Sequence, residues 1–118
     1  MRKVRFYRTP SGQCPAQDFL DSLSGKQAQK VVWVLRLVEE LESVPAQYLK
    51  KLGGTEDLWE MRAQHGGDTF RMLGFFEPPE VMVLTSGFAK KSEKIPRREI
   101  EVAEARRREY LGRRTRHE

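Results

Sequence analysis

Three strand-like runs follow one another in the second half of the chain, at 58–63, 69–76 and 81–88. The segments that join them, His65-Gly66-Gly67-Asp68 and Glu77-Pro78-Pro79-Glu80, consist of residues that favour turns. Connections this short join adjacent antiparallel strands, because a parallel crossover needs about a dozen residues or more. This part of the sequence therefore predicts a three-stranded antiparallel meander.

Two helical patterns precede the meander. Pro15 suits the first turn of a short helix. Ser24 and Gln27 have the spacing of a capping box at the start of a second helix. That helix carries apolar residues at helical spacing, namely Val31, Val34, Leu35, Val38 and Leu41. Pro45 is expected to end it.

A strand and a helix complete the predicted order. Val4 and Phe6 alternate with charged residues and indicate an opening strand. Pro96 begins a last helix, which we expect to run to about Leu111 with Gly112 at its end. The order is then N-terminal strand, two helices, three-stranded antiparallel meander and C-terminal helix. This predicts an α+β fold in which, if the first strand joins the meander, the helical pair packs across one face of the sheet.

The chain of 118 residues suits a single domain with its own core. We assign 1–112 to this domain and 113–118 to a basic C-terminal tail, for which disorder is one expectation. The longest apolar run, Val31 to Leu35, is too short to span a bilayer, and no basic-then-apolar leader opens the chain. We therefore expect a cytoplasmic protein that makes no contact with a membrane.

Residues that bind transition metals are scarce. Cys14 is the single cysteine, which excludes an internal disulfide, and beside Pro15 it is better interpreted as a small filler than as a nucleophile. The two histidines, His65 and His117, lie far apart in the sequence. One cysteine and two distant histidines lack the ligand spacing of a metal site. We expect neither a metal nor a cofactor.

Positive charge is concentrated toward the C-terminus of the chain. The net charge is +5, and the cations from Lys90 onward are Lys90, Lys91, Lys94, Arg97, Arg98, Arg106, Arg107, Arg108, Arg113, Arg114 and Arg116. Six glutamates in the same region offset only part of this charge. A clustered positive field attracts phosphate backbones and equally suits an acidic protein, so a polyanionic partner is expected.

The first hairpin of the meander places two arginines opposite each other. If 65–68 form the loop, Gln64 opposes Thr69 and Arg62 opposes Arg71. The face that carries these arginines and Glu60 is expected to point outward, away from the helices. Two paired arginines repel unless an anion lies between them. One interpretation is a surface ion pair between Glu60 and Arg62. The other is a cradle in which the guanidinium groups bind phosphate in bidentate fashion.

The same face is predicted to extend into the last strand. A four-residue second turn opposes Phe76 with Val81 and places Ser86 near Arg71. Phe88 and the cations that follow it, Lys90 and Lys91, then continue this face. An aromatic ring beside cations suits a stacked base and its phosphate, although Phe88 alone is more typical of a core.

The opposite face of the predicted sheet is expected to be apolar. Strand parity groups its members together, and we expect them to pack on the helices: Trp59, Met61, Ala63, Phe70, Met72 and Phe76.

The sequence resembles the HigB-like branch of the RelE toxin superfamily, whose members are toxins of bacterial and phage toxin–antitoxin modules. The resemblance covers nearly the whole chain. It is carried by Lys50-Lys51-Leu52-Gly53, Leu58-Trp59-Glu60-Met61-Arg62, Phe70-Arg71-Met72-Leu73, Gly87-Phe88-Ala89-Lys90-Lys91-Ser92 and Ile95-Pro96-Arg97-Arg98-Glu99-Ile100. It implies a RelE-like fold and a ribosome-dependent endoribonuclease (an mRNA interferase) that is silenced by a cognate helix-turn-helix antitoxin.

The resemblance also implies roles for particular residues. Metal-free cleavage of RNA uses the neighbouring 2′-hydroxyl as nucleophile and requires stabilisation of charge on the phosphate. Arg62 and Arg71 match the arginines that are given this role, and Glu60 and Lys51 are candidates for proton transfer. The expected RNA contacts are Lys50, Ser86, Phe88, Lys90 and Lys91.

One departure from the RelE-type pattern concerns the general acid. The sequence has no histidine or tyrosine just after the fourth strand, where some members place that group. His65 is a possible substitute, although a histidine in a turn is more often simply exposed. The identity of the acid and the base therefore stays open.

Three other functions fit the same residues, and the simplest is a housekeeping domain whose arginines pair with local carboxylates. A gyrase-directed toxin of the ParE type would share the fold but bind a protein without cleaving RNA. A catalytically inert domain that binds RNA or the ribosome would use the same cations. The paired Arg62 and Arg71 favour RNA over gyrase as the target.

Overall fold

A computed structural model describes residues 1–90 and 94–117 of the chain. Its elements, in chain order, are β1 (Lys3–Phe6), α1 (Pro15–Asp21), α2 (Gly25–Glu40), β2 (Leu49–Lys51), β3 (Trp59–His65), β4 (Asp68–Glu77), β5 (Val81–Lys90) and α3 (Arg97–His117). The predicted α+β class and order of elements are confirmed. The short strand β2 was not predicted, because three residues are too few to show a period.

The strands form one five-stranded sheet in the order β1-β5-β4-β3-β2. The meander of β3, β4 and β5 is antiparallel as predicted, and β1 joins it by pairing in parallel with β5. Helices α1 and α2 pack over one face of the sheet. As predicted, that face is apolar, and the predicted residues all contribute to this core: Trp59, Met61, Ala63, Phe70, Met72 and Phe76.

Both ends of α2 are stabilised by side chains. The predicted capping box between Ser24 and Gln27 is present at its N-terminus. The helix ends at Glu40, earlier than the expected end at Pro45, because the backbone of Leu41 is extended. The guanidinium of Arg2 donates hydrogen bonds to carbonyl groups at this end of the helix, those of Val38, Leu41 and Glu42. These bonds satisfy acceptors that a helix C-terminus leaves without intrahelical partners.

The second face of the sheet is covered by α3, so the expectation that it points outward is wrong. The helix also runs to His117, past the expected end at Leu111. Arg113 donates to the carbonyl of Arg8 at 3.0 Å, and Arg114 lies 2.8 Å from a carboxylate oxygen of Glu77. These contacts with the sheet explain why the helix continues through Gly112.

Two small apolar clusters lie between α3 and the sheet. One consists of Leu58, Leu73 and Ala103, and the other of Tyr7, Phe75, Val83 and Tyr110. The sheet is therefore buried on both faces, with α1 and α2 on one side and α3 on the other.

The register between β4 and β5 differs from the prediction at two places. Glu77 rather than Phe76 opposes Val81, so the turn is one residue shorter than expected. A bulge between Leu73 and Gly74 then adds a second shift of one residue. Because two shifts of one restore the parity of the strand, Phe88 and Ser86 stay on the predicted face. Arg71, however, opposes Phe88, and Ser86 opposes Leu73 instead.

Gly87 marks a close approach between β5 and α1. A Cβ atom at this position would lie 2.3 Å from Cδ2 of Phe19, which is closer than atoms can pack. The absence of a side chain therefore allows the Phe19 ring to lie directly on the strand.

We expect Gly87→Ala to lower the free energy of unfolding by about 1–3 kcal/mol, because the added methyl group overpacks this contact. Urea denaturation followed by circular dichroism measures the loss. In a Phe19→Leu background the same substitution is expected to cost less. Gly67→Ala serves as the matched control, since no atom lies within 4 Å of a Cβ there. Equal costs at both glycines would contradict the proposed contact.

A polar network attaches α3 to β1. The hydroxyl of Tyr7 donates to Oε1 of Glu109 at 2.7 Å, and the guanidinium of Arg113 donates to the same carboxylate. Burial, followed by the hydrogen bond to the Glu109 carboxylate, raises the pKa of Tyr7 from 10.0 to about 12. Because the neutral phenol is the form that binds, this contact stabilises the fold only while Tyr7 stays protonated.

The contribution of Tyr7 to stability is expected to be complete below pH 10 and to be lost between pH 10 and about pH 12. The free energy of unfolding, measured across this range, should fall more steeply for the wild type than for Tyr7→Phe. Glu109→Gln should move the loss toward lower pH, because it removes the anionic acceptor. Parallel pH profiles for the wild type and Tyr7→Phe would contradict this assignment.

Candidate functional site

The predicted pairing of Arg62 with Arg71 is confirmed. The two residues lie directly opposite each other on β3 and β4, and Gln64 opposes Thr69 as expected. Two residues before Arg62 on β3, Glu60 opposes Lys50 of β2. Residues that are paired across strands project from the same face. The sheet therefore brings Lys50, Glu60, Arg62 and Arg71 together, and we call these four residues the arginine cluster.

Glu60 provides the anion between the two arginines. Its Oε2 lies 3.2 Å from a terminal nitrogen of Arg71, and its Oε1 lies 3.9 Å from Nε of Arg62. The side chains of Glu60 and Arg71 are each 2% exposed, whereas that of Arg62 is 17% exposed. The ion pair considered from the sequence is thus present, but its main partner is Arg71 and it is buried rather than on the surface.

Burial divides the cluster into an inner and an outer part. Glu60 and Arg71 are screened from water, so their mutual attraction has to offset a desolvation cost of several kcal/mol per ion. Arg62 retains contact with solvent, and Lys50 is exposed. The outer pair, Lys50 and Arg62, is the part of the cluster that an approaching anion can reach directly.

The other predicted lysines occupy different positions. Lys51 opposes Trp59, and parity places both on the face opposite the arginine cluster. Its ammonium is exposed and lies 3.4 Å from Oδ1 of Asp57. Lys90 pairs with Thr69 at the end of β5. The side chain of Lys90 and the whole of Lys91 lie outside the described residues.

Two predicted RNA contacts, Phe88 and Ser86, lie on β5 beside the arginine cluster, and both are at least half-buried. Phe88 opposes Arg71, and its ring is half-buried against the apolar cluster of Leu58, Leu73 and Ala103. Ser86 opposes Leu73, is 6% exposed, and has its hydroxyl oxygen 3.3 Å from that of Thr85. Both residues support the sheet beneath α3 in this arrangement.

The arginines of α3 have local partners that the sequence did not reveal. The carboxylates of Asp57, Glu56 and Glu77 pair with Arg107, Arg108 and Arg114, respectively. The pairings of Glu109 with Arg113 and of Glu101 with Arg97 have the (i, i+4) spacing that a sequence can show. The other three depend on how the helix packs. Much of the positive charge expected to attract a polyanion is therefore matched within the fold.

Within residues 1–90 and 94–117, no group of three or more His, Cys, Asp or Glu side chains is arranged to hold a metal ion. No helix in the described part of the chain is both long enough and apolar enough to cross a membrane. His65 lies exposed at the end of β3, opposite Asp68.

The buried ion pair makes a distinct prediction about stability. Arg71→Ala leaves the Glu60 carboxylate buried without its main partner, and we expect a loss of about 3–5 kcal/mol in the free energy of unfolding. Arg62→Ala removes a longer and partly solvated contact, and we expect a loss of at most about 1 kcal/mol. Urea denaturation of both variants measures the difference.

A double variant tests whether the loss of stability in Arg71→Ala arises from the unpaired, buried charge of Glu60. Adding Glu60→Gln to Arg71→Ala should recover part of the lost stability, because the buried negative charge is then removed. If Arg62→Ala proves as destabilising as Arg71→Ala, the division of the cluster into inner and outer parts is wrong.

Residues 18–108 match the model of a protein family described as Phage derived protein Gp49-like (DUF891). The matched region contains α2, the whole sheet except β1, and most of α3. It therefore includes all four residues of the arginine cluster. No curated protein matches the chain at a significant level.

Proposed function

The chain belongs to the Gp49-like family, which falls within the RelE/HigB-like toxin superfamily, and from this premise we propose that it is a ribosome-dependent endoribonuclease of the HigB-like branch. In this proposal, the chain is the toxin of a type II toxin–antitoxin system and cleaves mRNA. A cognate helix-turn-helix antitoxin silences it. The observation that carries the proposal is the arginine cluster, in which Arg62 and Arg71 oppose each other around Glu60.

The proposed reaction starts from the 2′-hydroxyl of the substrate RNA. Its oxygen attacks the adjacent phosphorus, the bond to the 5′-oxygen of the next nucleotide breaks, and a cyclic phosphate and a 5′-hydroxyl form. One proton leaves the attacking hydroxyl and one reaches the departing oxygen. Cations placed beside the phosphate stabilise the charge that develops on its oxygens, which is commonly the largest contribution to catalysis.

Burial assigns different tasks to the two arginines. Arg62 is partly accessible and can form the bidentate hydrogen bonds that a guanidinium makes with phosphate oxygens. Arg71 is 2% exposed and pairs with Glu60, so its task is to hold that carboxylate and thereby position Arg62. Lys50, exposed on the same face, adds a contact to the RNA backbone.

Two residues, Glu60 and Lys51, are the candidates for proton transfer. Glu60 is a candidate base, although in this arrangement its carboxylate is committed to Arg71. Lys51 lies on the opposite face beside Asp57, so any contribution from it has to come from the end of β2. Ser86, Phe88, Lys90 and Lys91 stay proposed RNA contacts around the cluster.

Mapping of mRNA 5′ ends after induction of the chain in cells tests the activity. We expect new ends at fixed codon positions for the wild type. Arg62→Ala should reduce their frequency about 100-fold or more, because a charge-stabilising donor is lost. Lys51→Ala, measured in the same way, tests that residue as a proton donor. Lys26→Ala, an exposed cation on α2, is the matched control and should cleave like the wild type.

Because Arg71→Ala is expected to be strongly destabilised, its activity is informative only when the folded fraction in the same cells is measured. Growth arrest by the wild type with intact mRNA would overturn the proposed nuclease. Cleavage that persists in a folded Arg62→Ala variant would overturn the role of Arg62.

The buried pair also favours a second candidate function. Glu60 and Arg71 neutralise each other within the fold, as expected of a structural ion pair in a domain without catalysis. Such a chain would bind RNA or the ribosome, or act on gyrase as a ParE-type toxin does. Growth arrest without mRNA breaks identifies this class, and induction of DNA damage signalling in the same experiment separates gyrase from the ribosome.

A further inference from the structure

A groove of about 420 Å³ lies between β1 and the two helices α1 and α2. Aliphatic and aromatic side chains form its floor, with Val4 and Phe6 from β1 and Val32 and Leu35 from α2. These residues belong to, or adjoin, the core on the helical face of the sheet, opposite the face of the arginine cluster. Nothing in the proposed cleavage reaction uses this groove.

The groove runs along an edge of the sheet. Among the described residues, only β5 pairs with β1, so β1 forms one edge. The amide of Lys3 donates to the carbonyl of Glu80, the residue that precedes β5, and the amide of Tyr7 donates to the carbonyl of Leu84 in β5. Because successive residues of a strand alternate in direction, the amides of Val4 and Phe6 point away from β5 and toward the groove.

One end of this edge is already closed. The amide of Arg2 has the same direction as those of Val4 and Phe6, and it donates to the carbonyl of Glu39 at the end of α2. The backbone available to a partner therefore extends from Val4 to Phe6 and on toward Arg8. This is enough for a short added strand, whose alternate side chains would enter the groove.

The rim of the groove is positively charged. Arg8 and Arg36 line it, and neither forms an ion pair with any carboxylate among the described residues. Their situation differs from that of the α3 arginines, since Arg107, Arg108, Arg113 and Arg114 all have carboxylate partners. Glu39 is the one acidic residue in the lining, so the two guanidinium groups outweigh it.

We propose that the β1 edge and this groove bind an extended segment of a partner protein in which acidic residues alternate with aliphatic ones. The segment adds to the sheet as a sixth strand beside β1. Its aliphatic side chains enter the groove, and its carboxylates meet Arg8 and Arg36. The site follows from the geometry alone, whereas the identification of the partner as the antitoxin rests on the proposed function.

An RNA strand fits this surface less well than a protein segment. Phe6 is the one aromatic side chain in the lining, and the rest of the floor is aliphatic, so successive bases of a strand find no series of rings on which to stack. A strand edge offers backbone donors and acceptors spaced for another polypeptide. Binding of RNA in the groove is therefore a result that the experiment has to exclude.

Fluorescence anisotropy of labelled probe peptides tests the proposal on the full chain. The first probe alternates glutamate with valine, and the second has the same composition with the two residues in separate blocks. We expect the alternating probe to bind the wild type more tightly than the block probe. Arg36→Glu should weaken its binding about tenfold, because an attraction becomes a repulsion.

Arg98→Glu is the matched control, because it makes the same change of charge at an exposed position of α3. It should alter the affinity less than about twofold. Circular dichroism of both variants confirms that they are folded, which an exposed substitution should not prevent.

Hydrogen exchange distinguishes strand addition from other modes of binding. The alternating probe should slow exchange at the amides of Val4 and Phe6 about tenfold or more. The amides of Lys3 and Tyr7, already bonded within the sheet, should change little. An amphipathic helix in the groove would leave all four amides unchanged.

Three results would overturn the proposal: equal binding of the two probes, unchanged exchange at Val4 and Phe6, or tighter binding of a single-stranded RNA homopolymer that Arg36→Glu abolishes. The measurement needs no ribosome and no RNA cleavage. A chain that fails to cleave mRNA in cells but binds the alternating probe would therefore contradict the proposed function and leave this inference standing.

Discussion

The ion pair between Glu60 and Arg71 is the interaction on which the organisation of this protein depends. Both side chains lie at 2% exposure within a sheet that helices cover on both faces. Charges can remain there only as partners, since a single buried charge is far more costly than the pair. The pair therefore couples β3 to β4, and it requires the register that brings Arg71 opposite Arg62.

The same pair determines what the arginine cluster can offer to a ligand. With Glu60 committed to Arg71, the accessible cations are Arg62 and Lys50, on two neighbouring strands. The rigid sheet supports these side chains from below, and rigid support favours precise placement of a phosphate. The proposed nuclease and the proposed inert binder differ in what Arg62 does, not in how the cluster is built.

Charge in this protein serves two purposes. Along α3, arginines pair with carboxylates of the sheet and its loops and hold the helix in place. Elsewhere in the described part of the chain, cations for which the structure shows no carboxylate partner mark surfaces where an external anion can bind. Lys50 lies on one face, and Arg8 and Arg36 lie beside the groove on the other. A net charge of +5 does not distinguish these uses, because it counts both kinds of arginine alike.

The sequence by itself determined every element except β2, the order of these elements and the first hairpin. The turn-forming residues between Gln64 and Thr69 marked the hairpin, and this local signal was sufficient to place Arg62 opposite Arg71. The apolar face from Trp59 to Phe76 followed from strand parity. The tertiary structure alone decided the bulge at Gly74, the burial of Glu60 and Arg71, and the partners of the α3 arginines. Local patterns record which face a residue occupies, but whether a helix covers that face depends on contacts between residues far apart in the chain.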